Sequence, residues 1–210
     1  MSIADIRKDY QLKSLSELEV NSNPFSQFSS WWDDAVQSEI DEVNAMTLST
    51  ITNEGRPSSR IVLLKGFDAK GFIFFSNYNS SKAQQISSNS HVSLLFFWKE
   101  LERQIRIDGV CSKVSAEESD AYFHSRPIGS RLGAWASPQS EKIKDREVLV
   151  QRLASVTQEF GLDVPRPPHW GGYHVVPTRI EFWQGRSNRL HDRILYEEQG
   201  LSWQISRLAP

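Results

Sequence analysis

The first regular pattern along the chain is an aromatic stripe: Phe25, Phe28, Trp31, Trp32 and Val36 recur near helical spacing behind Pro24. A helix gathers such positions on one face, and proline suits its first turn because its missing N–H would be unbonded there in any case. The spacing predicts a packing helix from Pro24 to about Val43. A short charged helical segment ending near Tyr10 precedes it.

From Ala45 the period becomes that of strands. MTLSTIT, SRIVLLK and FIFFSN are divided by the turn signals NEGR and FDAKG, which predicts two consecutive hairpins. Further strands follow in HVSLLFFW and RQIRIDGVCSKV. In the second of these Ile105, Ile107 and Cys111 alternate with Gln104, Arg106 and Asp108, so Cys111 faces the core as a small hydrophobe. Helices are predicted from Ser80 to Asn89, from Ala116 to His124 and from Ser140 to about Phe160. The last would bury Ile143, Val148, Leu149, Leu153 and Val156. The run from Val164 through Trp170 to Gly172 is rich in proline and reads as an extended connector, neither helix nor central strand. YHVVPTRIEFW, RILYEE and SWQISRL close the chain as strands, with a turn at Gln199-Gly200. Short strands at hairpin spacing, with helices inserted instead of alternating, predict a mainly β (α+β) fold: one antiparallel β-barrel domain over 1–210 with peripheral helices.

Composition narrows the function. A chain of 210 residues, 39% hydrophobic, can bury roughly 70% of the surface its unfolded form exposes. With 24 Lys and Arg against 26 Asp and Glu the net charge is -2, which is no footprint for nucleic acid. A single cysteine excludes an intrachain disulfide and a multi-cysteine zinc site, and the five histidines show no zinc-ligand spacing, so no metal is expected. The charged start MSIADIRKDY lacks the apolar stretch of a secretory signal, and no window is long and apolar enough for a membrane span, so a cytoplasmic protein is expected.

Candidate chemistry lies in cations and amides at strand ends: Arg60, Lys65, Lys82, Gln104, Arg126, Gln139, Arg189 and Arg193. Phosphate uses such groups, since Arg offers a planar fork and Lys a movable point charge. Ser80-Ser81-Lys82 opens a predicted helix, where free N–H groups attract anions. In Arg189-Leu190-His191-Asp192-Arg193 an extended backbone would put Arg189, His191 and Arg193 on one face, able to meet two anions flanking a reactive centre. A salt-bridged surface turn is the alternative. Nucleophile-elbow, P-loop and GxGxxG motifs are all missing.

Taken in order, SRIVLLKGFDAKGFIFFSNYNSSKAQQI, VSLLFFWKELERQIRIDG, YFHSRPIGSRLGAWASPQS, WGGY and IEFWQGRSNRLHDRILY resemble the pyridoxamine 5′-phosphate oxidase family from about Arg7 to Pro210. The resemblance implies a split-barrel homodimer with two flavin mononucleotide (FMN) sites at the subunit interface. It implies FMN contacts from Arg60, Ile61, Val62, Lys65, Phe75 and Ser76, then Ser81, Lys82, Gln104, Gln139 and Ser140, and lastly Trp183 and Arg193. Substrate would fall to Lys65, Tyr122, Arg126, Ser130, Arg189 and His191, with Arg7 and Tyr10 in a mobile N-terminal lid (1–20) and the strands of about 170–210 completing the active site. Ser81 departs from the family's SRKA-like string, which places an arginine there. Arg60 and Lys65, five apart, would lie on opposite faces of a straight strand, so a shared site requires a bend.

The implied reaction is oxidation of pyridoxamine or pyridoxine 5′-phosphate to pyridoxal 5′-phosphate by hydride transfer to flavin, with O2 as acceptor giving H2O2. Arg189 and His191 would orient the reacting carbon. The rival readings are a split-barrel flavin reductase and a non-catalytic pyridoxal phosphate carrier.

Overall fold

The computed structural model describes residues 2–5 and 8–210. Its first long element is α1 (Pro24–Gln37), capped by Asn23, whose side chain accepts from the N–H groups of Phe25 and Ser26. The helix stops well short of Val43, because the chain turns through positive φ at Glu39 and Glu42. Phe28 and Trp31 are buried, but Val36 is 50% exposed and does not belong to the packing stripe. Phe28 meets Phe67 and Phe72 at ring distances of 4.8 and 4.9 Å, and Trp31 meets Phe182 at 5.2 Å. Of the expected N-terminal charged helix, the described residues show a single 3-10 turn, Ile3–Asp5.

The hairpin pattern is realised. β1 (Ala45–Ile51) pairs with β2 (Pro57–Leu63), and β3 (Gly66–Asp68) with β4 (Gly71–Asn77). Between the hairpins Leu64 and Lys65 leave the strand, and the Lys65 N–H donates to the Ile73 carbonyl, which is the bend that a shared Arg60 and Lys65 site requires. After α2 (Ser81–Ser88) come β5 (His91–Trp98) and β6 (Arg103–Lys113). Cys111 is buried as expected, and burial pushes its thiol up to about 12.

Three helices follow: α3 (Ala116–Ser125), α4 (Ile128–Ala136) and α5 (Glu147–Phe160). Sequence reading missed α4, whose Gly129 and Gly133 weaken the helical signal. It also started α5 too early: Ser140 takes a positive φ, and the chain becomes helical only at Glu147. The buried stripe expected there is not found. No residue of α5 is buried, and Ile143 and Leu153 are 37% and 41% exposed. The helix leans mainly on α4, with Trp135 and Phe160 in contact at 4.9 Å, and much of its apolar face stays exposed among the described residues.

β7 (Trp170–Gln184), β8 (Asp192–Gln199) and β9 (Ser202–Arg207) complete a nine-stranded antiparallel sheet in the order β2-β1-β5-β6-β7-β4-β3. β8 also pairs with β7, and β9 with β8. Trp170, Gly171 and Gly172, expected in a connector, are instead strand residues paired with Asn77, Ser76 and Phe75 of β4. β7 is shared: its first half pairs with β4, its second half with β8, and β6 runs along both. The register slips between Asp108 and Gly109, opposite Pro177, so the residue that cannot donate sits at a bulge. Among the described residues no helix is long and apolar enough to cross a membrane, and no group of acids, histidines and cysteines could hold a metal ion.

Candidate active site

A cavity of about 660 Å³ opens where β2, β4, α3, α4 and the start of β7 converge. Of the residues singled out in the sequence, Ile61, Val62, Lys65, Phe75, Ser76 and Lys82 line it from the β2–α2 side. Tyr122, Arg126, Ser130 and Gln139 line it from the helical side. Its walls carry three cations, Lys65, Lys82 and Arg126, and no carboxylate.

Lys82 is 8% exposed, and its ammonium donates to Ser76 Oγ (3.0 Å), Ser80 Oγ (3.1 Å) and Gln139 Oε1 (3.1 Å), all neutral acceptors. Burial, with the Arg60 charge near it, pushes this ammonium down to about 8. Arg60 itself does not line the cavity. Its guanidinium donates to the Leu48 carbonyl (3.1 Å), Thr50 Oγ1 (2.6 Å), Ser58 Oγ (2.8 Å) and Gln85 Oε1 (3.0 Å). Two neighbouring cations held by neutral oxygens make a site suited to an anion.

Arg126 lies over the Trp170 ring at 4.5 Å, and its buried Nη1 has no hydrogen-bond partner among the described residues. Below it Phe75 and Tyr122 stack with centroids 3.9 Å apart, and Trp170 continues nearly parallel, 13° from Phe75 and 9° from Tyr122. The cavity thus has flat aromatic walls and cationic positions around them, a match for planar rings that carry phosphates.

Ser81 and Ser140 are exposed and outside the lining. Gln104, Trp183, Arg193, His191 and Tyr10 gather elsewhere. Gln104 pairs across the sheet with Trp183, and Trp183 with Arg193. The rings of Trp183 and His191 lie 4.6 Å apart, and Tyr10 sits edge-on to both, at 5.8 and 5.9 Å. This second cluster occupies the far end of β7 from Trp170, up to about 43 Å away along the strand at about 3.3 Å per residue. Arg7 lies outside the described residues.

The extended pentapeptide is not what forms. Ser187–Arg189 is a 3-10 turn with Asn188 and Arg189 at positive φ, and β8 begins only at Asp192. Alternation therefore does not relate Arg189 to Arg193. Arg189 is exposed, whereas Arg193 lays its fork on Glu181 (2.7 and 3.1 Å), a carboxylate only 3% exposed. His191 Nδ1 accepts from the Arg186 N–H (3.1 Å), which in the neutral ring leaves the proton on Nε2.

Sequence reading missed Trp170 and the α4 residues Gly133 and Ala134 in the cavity wall. The flat aromatic wall was legible only as separate strings, because it is assembled from β4, α3 and β7.

A family model described as pyridoxamine 5′-phosphate oxidase matches residues 32–160, and one described as the pyridoxine 5′-phosphate oxidase C-terminal dimerisation region matches 170–210. The chain is 57% identical to proteins of Cyanothece sp. and Ralstonia nicotianae named pyridoxine/pyridoxamine 5′-phosphate oxidase, the latter with the suffix 1. Each match covers 100% of this chain and 99% of the relative. Among solved structures it resembles PhzG from Burkholderia lata, in complex with tetrahydrophenazine-1-carboxylic acid, with a TM-score of 0.89 and 31% identity over 95% of this chain and 99% of that one. A pyridoxamine 5′-phosphate oxidase-related, FMN binding protein from Nostoc punctiforme shares the fold, with a TM-score of 0.70 and 17% identity over 94% of this chain and 100% of that one.

Proposed function

The chain belongs to the pyridoxamine 5′-phosphate oxidase family, and from that membership we propose that it is an FMN-dependent oxidase converting pyridoxamine and pyridoxine 5′-phosphate to pyridoxal 5′-phosphate. The observation that carries this reading is the cavity with three cations, an aromatic wall and no carboxylate. Its residues fit the groups that the reaction needs. Lys82, Ser76 and Gln139, with Arg60 close by, suit the FMN phosphate. Arg126, Lys65, Tyr122 and Ser130 suit a substrate phosphate, and the unsatisfied Nη1 of Arg126 argues for an oxyanion there.

When bound, FMN would supply the acceptor for the hydride from the substrate C4′ carbon, with O2 taking the two electrons to give H2O2 and water releasing ammonia from the imine when the substrate is the amine. The chain's own task is placement. One phosphate grip would hold FMN and the other the substrate, and the aromatic wall would keep the substrate ring parallel to the flavin, which are entropic and electrostatic contributions. Arg189 and His191 orient the C4′ end, the imidazole offering its Nε2 proton.

The second cluster belongs to this site through a homodimer. Trp183, Arg189, His191 and Arg193 all fall within the matched dimerisation region, and a second protomer can bring them over the cavity that one protomer leaves open. The test is direct: incubate the purified chain with FMN, remove the excess, record the visible spectrum, then add pyridoxamine 5′-phosphate in air and follow peroxide and aldehyde. Retained FMN with stoichiometric peroxide and aldehyde is expected. Absence of bound flavin or of product overturns the assignment.

A further inference from the structure

We propose that Glu102 is a positioning residue that clips the N-terminal strap onto the second cluster and thereby fixes Tyr10 against Trp183 and His191. The inference rests on the proposed function for its kinetic consequences, and on geometry alone for the clip.

Glu102 ends the turn between β5 and β6 in a left-handed conformation, φ 55°, uncommon for a residue with a side chain. Its side chain is only 3% exposed. A carboxylate so placed requires compensation, and among the described residues its side-chain partners all come from the N-terminal strap, residues 8–12. Oε2 accepts from the main-chain N–H groups of Gln11 (2.9 Å) and Leu12 (3.1 Å), and Oε1 pairs with Lys8 Nζ (3.0 Å). Its own carbonyl accepts from Gly185 N–H (2.7 Å) and Gln184 Nε2 (3.2 Å), the residues that follow Trp183. One residue therefore ties both partners of the contact, the strap through its side chain and the end of β7 through its main chain.

Tyr10 fits closely in the seat so formed. A Cβ on Gly185 would come within 2.7 Å of Tyr10 Cγ, so only glycine lets the ring lie there. Ser187 Oγ donates to the Tyr10 carbonyl at 3.3 Å, and Leu15 N–H donates to Asp192 Oδ2 at 3.0 Å, which holds the strap's far end. Tyr10 approaches the Trp183 ring at 89°, an edge-on contact that a small slide of the strap would break.

The experiment compares Glu102→Gln, Gln11→Pro and Tyr10→Ala with the wild-type holoenzyme. Glu102→Gln keeps the shape and removes the charge. Gln11→Pro deletes one donor on the exposed strap and leaves the core untouched. Both should expose Lys8 and Lys13 to trypsin several-fold faster at unchanged FMN content. Both should raise KM for pyridoxamine 5′-phosphate about tenfold with kcat little changed, the size of one lost charge-assisted hydrogen bond. In a Tyr10→Ala background Glu102→Gln should add nothing further to KM, because its effect runs through that ring. Unaltered cleavage in both single variants, or a Glu102→Gln effect on KM that adds in full to Tyr10→Ala, overturns the proposal. A wild-type chain that fails to oxidise the substrate overturns the functional reading instead, and the cleavage rates still decide the clip.

Discussion

Lys82 shows how a single residue can be arranged for a partner. Its ammonium is buried among neutral oxygens, and its proton is held more weakly than in the unfolded chain. Between about 8 and the ordinary lysine value near 10.4 the unfolded state therefore binds more protons, so stability should rise with pH through that window. Bound phosphate removes the cause. Thermal melts from about pH 7 to 10 should show the rise without FMN and a smaller one with it. Lys82→Met should flatten the ligand-free profile, leave the ligand-free melting temperature equal or higher, and weaken FMN by about 1.5 to 3 kcal/mol, roughly 10- to 150-fold. A variant that binds FMN as tightly as wild type would remove Lys82 from the phosphate grip. The sequence marked this lysine because it opens a helix after an apolar strand. It could not mark the exposure of Arg189, since the left-handed Asn188 and Arg189 belong to a turn that alternation does not describe.

Elements were legible where a local period governs them and illegible where tertiary contacts do. The β1–β2 and β8–β9 hairpins follow from alternation and turn residues, and β6 alternates as read. The start of β7 was hidden because WGG carries strand-weakening glycines after a proline-rich run, yet both glycines are needed for close approach: a Cβ on Gly172 would meet Val114 Cγ2 at 2.5 Å and Phe75 Cε1 at 2.8 Å. The apolar face of α5 was legible, but what covers it was not. Gly109 gives the element-scale prediction. A Cβ there would lie 2.3 Å from the Val176 carbonyl oxygen and 2.9 Å from Pro177 Cα, both main-chain atoms that cannot swing aside. Gly109→Ala should destabilise by about 1 to 3 kcal/mol, or roughly 2 to 12 °C in Tm for a chain of this size. Wild-type melting in that variant would mean the bulge is free to move.

At the scale of the whole molecule, fold class followed from the strand spacing, whereas the two-part site could not, because no sequence period separates the cavity from the Trp183 cluster. If each active site joins one protomer's cavity to the other's cluster, two inactive variants should rescue each other. Mixing and re-associating Lys82→Met with His191→Asn should give half heterodimers, each with one intact and one doubly damaged site, hence about a quarter of wild-type activity. No recovery despite confirmed subunit exchange would place the whole site within one chain. The sharing of β7 between two neighbours also reaches into biosynthesis. Phe72 of β4 pairs with Val175, roughly a hundred residues later, and Arg103 of β6 with Gln184. While the ribosome is still making α5, β4 has only β3 beside it and β6 only β5, and the other edge of each stays bare until β7 is made. Closure by β7 is non-local and correspondingly slow, which leaves a nascent species with open strand edges, the form most exposed to aggregation and most dependent on chaperones.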